Sequence, residues 1–110
     1  MLLLVLEQQS LVQREDVKID EKLFLAISNG DNEAFEKLYL KTKKSLYAYV
    51  FSITKDVYLT QDIVSDTYIK VRNAAHLYVE MDKPMAWMFT IAKRITLNYY
   101  RKDSKRTEYE

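Results

Sequence analysis

Asp62 and Asp66 stand four residues apart in "TQDIVSDTYIKVRN" and share one face of any helix that carries them. Two carboxylates so placed could hold a metal ion or meet a basic surface. The chain has no Cys and a single His, His76. A disulfide framework and a thiolate metal site are therefore excluded, and zinc has almost no ligands to draw on. One His with no glycine-supported oxyanion turn builds no nucleophilic triad, and no glycine-rich phosphate loop exists. No catalysis and no cofactor are expected, and a small metal-dependent hydrolase using the two acids is the weakest reading. His76, between apolar residues, reads as a loop histidine bonded to backbone.

A second chemistry sits in "KPMAWMFTIAKRITLNYYRK", Lys83 to Lys102. It holds Lys83, Lys93, Arg94, Arg101 and Lys102, an early Trp87 and no acid. Cations on a helix supply contacts to phosphates, and an aromatic ring beside them offers a plane for an unpaired base. Charge along the chain agrees. Residues 1–82 carry ten Lys and Arg against thirteen Asp and Glu, whereas residues 83–110 carry seven against three. The overall charge of +1 thus hides a basic C-terminal quarter, which points to a polyanionic partner. Trp87 has two readings from pattern alone, a partly buried core anchor or a base-stacking plane. The acids of "TQDIVSDTYIKVRN" likewise read as a solvated face or as a docking patch.

The elements that carry these groups are helices. The 110 residues suffice for one small domain, 48% are hydrophobic, and one Gly and one Pro leave too few breakers for an all-β fold. We expect an all-α fold, a compact bundle of about four helices. The first, in "DEKLFLAISNG", has Asp20 as cap, Leu23, Phe24 and Ile27 as apolar stripe, and Gly30 as a left-handed stop. The second starts at N-cap Asp31, with Glu33 in its first turn and an inward stripe of Phe35, Leu38, Tyr39, Leu46, Tyr49, Val50 and Ile53. Lys41, Lys43 and Lys44 near its middle read as a solvated face. The third is expected to be capped by Thr60, with Ile63, Val64, Thr67, Tyr68 and Val71 inward and Asp62, Ser65, Asp66 and Ile69 on another face. After the loop "AAHLYVEMD", Pro84 opens the fourth. There Met88, Ile91, Ala92, Ile95 and Tyr99 face inward. Thr90, Lys93, Arg94, Leu97 and Arg101 form a second face, with Asn98 and Lys102 at its edge.

Residues 1–19 read as an N-terminal extension, residues 20–104 as the domain, and residues 105–110 as a polar tail or linker start. The opening "MLLLVLE" has an apolar run too short for a signal-peptide core or a membrane span. No membrane insertion is expected.

Three stretches taken together carry a family resemblance: "DNEAFEKLYLKTKKSLYAYVFSIT", "LTQDIVSDTYIKVRN" and "KPMAWMFTIAKRITLNYYRK". In order and spacing they resemble conserved region 2 of bacterial sigma factors, most like the extracytoplasmic-function (ECF) group, over Leu23 to Arg106. The resemblance implies a cytoplasmic helical domain that binds core RNA polymerase and recognises and melts the promoter −10 element in transcription initiation. It also implies that the helix from Thr60 to Asn73 docks on the clamp coiled coil of the largest polymerase subunit through Asp62, Ser65, Asp66 and Ile69. Ser65 stands where the family usually has Gln.

The fourth helix and its preceding loop are implied to hold the melted non-template strand. Tyr78, Lys83, Trp87, Thr90, Lys93, Arg94, Leu97, Asn98, Arg101 and Lys102 are the expected DNA-binding set. Trp87 matches the family's helix-start Trp, Ile91 and Ala92 a buried pair, and Lys93 a basic position. Arg94 stands where Asn is common. Thr90 and Ile91 occupy the places of the tandem Trp of primary sigma factors. The loop Ala75 to Asp82 is the variable element that forms the base pocket. Family members usually carry a second domain for the −35 element, and this chain is expected to end where the linker begins and to bind promoter DNA weakly alone. An anti-sigma factor is a further implied partner. The rival reading is a helical protein-interaction module, a sigma-like adaptor or anti-sigma target, without DNA recognition of its own.

Overall fold

A computed structural model describes residues 18–79 and 83–109, with side chains as far as Lys102. The apolar run at 2–6 and the last three loop residues, 80–82, lie outside the described residues. Those described form four α-helices, one 3-10 turn and no strand: α1 (Lys22–Ser28), α2 (Asn32–Thr54), α3 (Val57–Ala74), the turn Ala75–Leu77, and α4 (Pro84–Tyr109). The all-helical expectation holds. No helix among the described residues is long and apolar enough to cross a membrane.

The helix boundaries follow from local chemistry. The residue at the cap position of α1 is Glu21 and not the expected Asp20, although the Asp20 carboxylate accepts a 3.0 Å bond from the Lys22 amide. Gly30, at φ +88°, closes α1 in the left-handed region, where a side chain would be strained. Asp31 then caps α2 by accepting from the Ala34 amide at 3.1 Å. The next boundary differs from expectation. α3 begins at Val57, and its cap is Asp56, whose carboxylate accepts from the Leu59 amide at 3.0 Å. Thr60 is instead fully buried, its hydroxyl 2.6 Å from that of Thr54. Lys55 makes this possible: it takes φ +56° and bonds its amide to the Phe51 carbonyl, ending α2 early enough for Asp56 to cap.

The packing core is a mutual contact of α2, α3 and α4, with α1 laid across α2 and the 3-10 turn. Leu38, Leu46 and Val50 of α2 meet Ile63 and Val71 of α3 and Met88 and Ala92 of α4, all fully buried. Burial of the Leu, Ile, Val and Met side chains among them contributes about 1.5–3 kcal/mol each. The α2 stripe is displaced from the expected one. Tyr39 and Ile53 are 41% and 39% exposed, while Thr42 and Ser45 are buried. Thr42 tolerates the core because its hydroxyl is satisfied twice, by the Leu38 carbonyl at 2.8 Å and the Tyr68 hydroxyl at 2.6 Å. In α4 the inward set gains Met85 and Thr96, and Ile91, Ile95 and Tyr99 are half-buried beside it. α4 also continues through Tyr109, past the expected start of the tail. No Gly or Pro follows Pro84 to stop it.

Candidate nucleic-acid interface

Pro84 at the first position of α4 fixes where that helix leaves the loop. Trp87, one turn in, is thereby brought against α1 and the end of the 3-10 turn. Its ring centroid lies 5.4 Å from that of Phe24 and 5.2 Å from that of Tyr78, both edge-on. Phe24 and Tyr78 pack at 4.4 Å. Phe24 is 1% exposed, whereas Trp87 and Tyr78 are half-buried. The core-anchor reading of Trp87 thus holds for part of the ring only. One side of the ring is a core contact, and another borders a cavity.

That cavity has a volume of about 310 Å³ and is lined by Leu77, Tyr78, Val79, Lys83, Ala86, Trp87 and Thr90. It falls at the small end of ligand pockets, which run from roughly 300 to 1,000 Å³. Four expected DNA-binding residues, Tyr78, Lys83, Trp87 and Thr90, meet there. Leu77, Val79 and Ala86 complete the lining and were not singled out from sequence. Their clue was position alone, since Leu77 and Val79 flank Tyr78 in the loop. Lys83 is the one cation of the described lining. The Tyr78 hydroxyl donates to the Glu21 carboxylate, so this ring is held at its polar end as well as on its face.

From the cavity an exposed strip runs along α4. Thr90 bonds its hydroxyl to the Ala86 carbonyl at 2.9 Å and stands at the junction. Lys93, Arg94, Leu97, Asn98, Arg101 and Lys102 follow, all exposed. Thr90 to Arg101 spans about 16 Å at 1.5 Å per residue. Lys93, Arg94 and Arg101 within that length, with Lys102 just past it, can track a phosphate backbone, and Leu97 supplies apolar contact between them.

The acidic face of α3 lies at the other edge of α4. Asp62, Ser65 and Ile69 are exposed, Ile69 by 59%. Asp66 is half-buried and accepts a 2.8 Å bond from the Tyr99 hydroxyl of α4. That bond raises the Tyr99 hydroxyl above its ordinary pKa, with burial and the negative charges of Asp66 and Asp62 acting in the same direction. The four expected docking residues thus share a face but not a condition, because one of them also serves the fold. Beyond Ser65 the surface drops into a groove between α2 and α3, where Tyr39, Lys43, Lys44 and Tyr47 face Gln61 and Val64. Lys43 lies 5.7 Å from the Tyr39 ring. Of the three lysines expected to form an ordinary solvated face, Lys43 and Lys44 line this concave surface, while Lys41 reaches the Lys18 carbonyl. The missed signal was the four-residue spacing of Tyr39, Lys43 and Tyr47, which sets them in one row. His76 is exposed in the 3-10 turn.

Comparison with known proteins identifies a family for the chain. The Sigma-70 region 2 family matches residues 38–106. The ECF RNA polymerase sigma factor SigX of Bacillus subtilis is 30% identical over 70 residues, 64% of this chain and 36% of that protein. SigM of the same organism, also an ECF RNA polymerase sigma factor, is 27% identical over 70 residues, covering 64% of this chain and 42% of its own length. SigK of Mycobacterium sp. (strain KMS), of the same description, is 27% identical over 89 residues, 80% of this chain and 46% of that protein. The chain spans less than half the length of these curated relatives. No solved structure matches it. With the match running from the second turn of α2 to near the end of α4, the chain belongs to the Sigma-70 region 2 family.

Proposed function

We propose that this chain is the part of an ECF-type sigma factor that attaches to core RNA polymerase and holds the melted −10 non-template strand. The domain concerned is that read over residues 20–104. The observation that carries the reading is the continuity of the Trp87 cavity with the cationic strip of α4. Taking a base out of the duplex costs a few kcal/mol, and stacking on an aromatic ring returns roughly 1–3 kcal/mol per base. The cavity offers a base Trp87 and an apolar lining. Lys93, Arg94, Arg101 and Lys102 hold the backbone that leads away from it along α4. The role is binding and not catalysis.

Asp62, Asp66 and Ile69 form the surface offered to the polymerase clamp, with the acids orienting a basic partner and Ile69 supplying apolar contact. The names of the relatives support the polymerase partner, since each is called an RNA polymerase sigma factor, and say nothing of the residues that meet it. An anti-sigma factor would compete for the same exposed faces, and work in the cytoplasm follows from the polymerase partner.

The test is binding of the chain to core RNA polymerase, followed by crosslinking to a −10 non-template single strand. Capture by polymerase together with a crosslink at Trp87 that prefers the −10 strand over a scrambled one is expected. Capture with no strand preference would favour the rival, a helical protein-interaction module.

A further inference from the structure

Behind two of the cavity's lining rings lies α1, which precedes the residues the family matches and lines none of the cavity itself. Phe24 supports both Tyr78 and Trp87 by ring contact. Glu21, the residue just before α1, accepts the Tyr78 hydroxyl bond. A carboxylate next to a site for a polyanion works against binding on charge alone. Its geometry gives it another use. A hydroxyl bond to an ionised acceptor is about twice as strong as a neutral one, and this one joins the start of α1 to the residue that closes the 3-10 turn. With its face on Phe24 and its hydroxyl on Glu21, the Tyr78 ring has a fixed position. Trp87 packs against that ring.

We propose that Glu21 is a positioning residue for the cavity, acting through Tyr78 to set the surface beside which Trp87 presents its open side. The inference rests on the proposed function above and goes beyond it, because it makes α1 a determinant of strand retention. Glu21 itself touches no base.

Three variants test it in complex with core polymerase: Glu21→Ala, Glu21→Gln and Tyr78→Phe. The readouts are retention of the −10 non-template strand, capture by polymerase, and emission of Trp87, the sole tryptophan of the chain. Glu21→Ala and Tyr78→Phe should each weaken strand retention by about tenfold, the scale of one hydrogen bond to a charged group. The double variant should be no worse than either alone, as for two ends of one bond. Glu21→Gln keeps an acceptor oxygen and should recover most of the retention. Polymerase capture should not change, and the Trp87 emission should shift in Glu21→Ala and Tyr78→Phe without DNA. Additive losses, or stronger retention in Glu21→Ala from relief of charge repulsion, would overturn the inference. Variants that hold the strand as well as a selective parent chain overturn it alone. A parent chain with no strand preference overturns the proposed function and this inference together.

Discussion

The Tyr99 hydroxyl donates a 2.8 Å hydrogen bond to Asp66 Oδ2 and so ties the cationic helix α4 to the acidic face of α3. Asp66 is therefore shared between a structural contact and the surface proposed for polymerase. Any substitution there changes both. Asp62, exposed one turn earlier on the same face, separates them.

Asp62→Lys is expected to reduce capture by core polymerase by about tenfold or more, since like charges brought together at an interface cost several kcal/mol. Its unfolding midpoint should match that of the parent chain. Tyr99→Phe is the converse, with a stability loss under about 1 kcal/mol for one partly exposed bond and polymerase capture retained. A pull-down paired with thermal unfolding reads both. Equal capture of Asp62→Lys and the parent chain would remove α3 from the docking surface.

The cationic strip predicts a salt signature. Replacing Lys93, Arg94 and Arg101 together by Gln should weaken strand binding to a similar degree on −10 and scrambled sequences. The slope of log affinity against log salt should fall by about 2, at roughly 0.7 per phosphate contact for single strands. A titration of fluorescent strand at several salt concentrations measures it. An unchanged slope would mean that these side chains do not meet the backbone.

Alkaline stability should depend on Tyr68. Burial pushes its hydroxyl up to about 12, against an ordinary value of 10, despite the opposing bond to Thr42. The folded state thus keeps its proton where the unfolded chain has lost it. The resulting contribution is complete below pH 10 and disappears as pH rises from 10 to 12, up to about 2–3 kcal/mol. Tyr68→Phe cannot titrate, so the stability gap between parent and variant should be constant below pH 10 and change only above it. Denaturant unfolding across that range tests this. Thr42 in the variant still bonds the Leu38 carbonyl, which limits the loss at neutral pH.

Much of this arrangement was readable in advance, for identifiable reasons. Asp31, Gly30 and Pro84 announce helix ends by residue type, and each acts as that type suggests. The exposed face of α4 follows from spacing once Met88 and Ala92 are placed inside. The start of α3 was hidden because its signal is a left-handed lysine, Lys55, where that conformation normally calls for Gly or Asn. Thr60 then looked like a free cap, although its partner is a side chain on the preceding helix. The α2 stripe is not legible from its apolar residues alone, because Thr42 is buried with its hydroxyl satisfied. Trp87 stayed open because the rings that decide it, Phe24 and Tyr78, come from elsewhere in the chain. Local spacing carries no record of such a meeting.

The hydroxyl pairs between α2 and α3, one buried and one half-buried, have a mechanical consequence. Thr42 meets Tyr68 and Thr54 meets Thr60, both at 2.6 Å, so α2 is fastened to α3 at two levels. Twelve residues separate the two threonines of α2, about 18 Å along its axis. Two pins that far apart stop sliding and also pivoting. A one-residue slip of α3 would break both at once and leave buried hydroxyls without partners. The two helices therefore move as one lever, and a load applied to the outer face of α3 is borne by α2 as well.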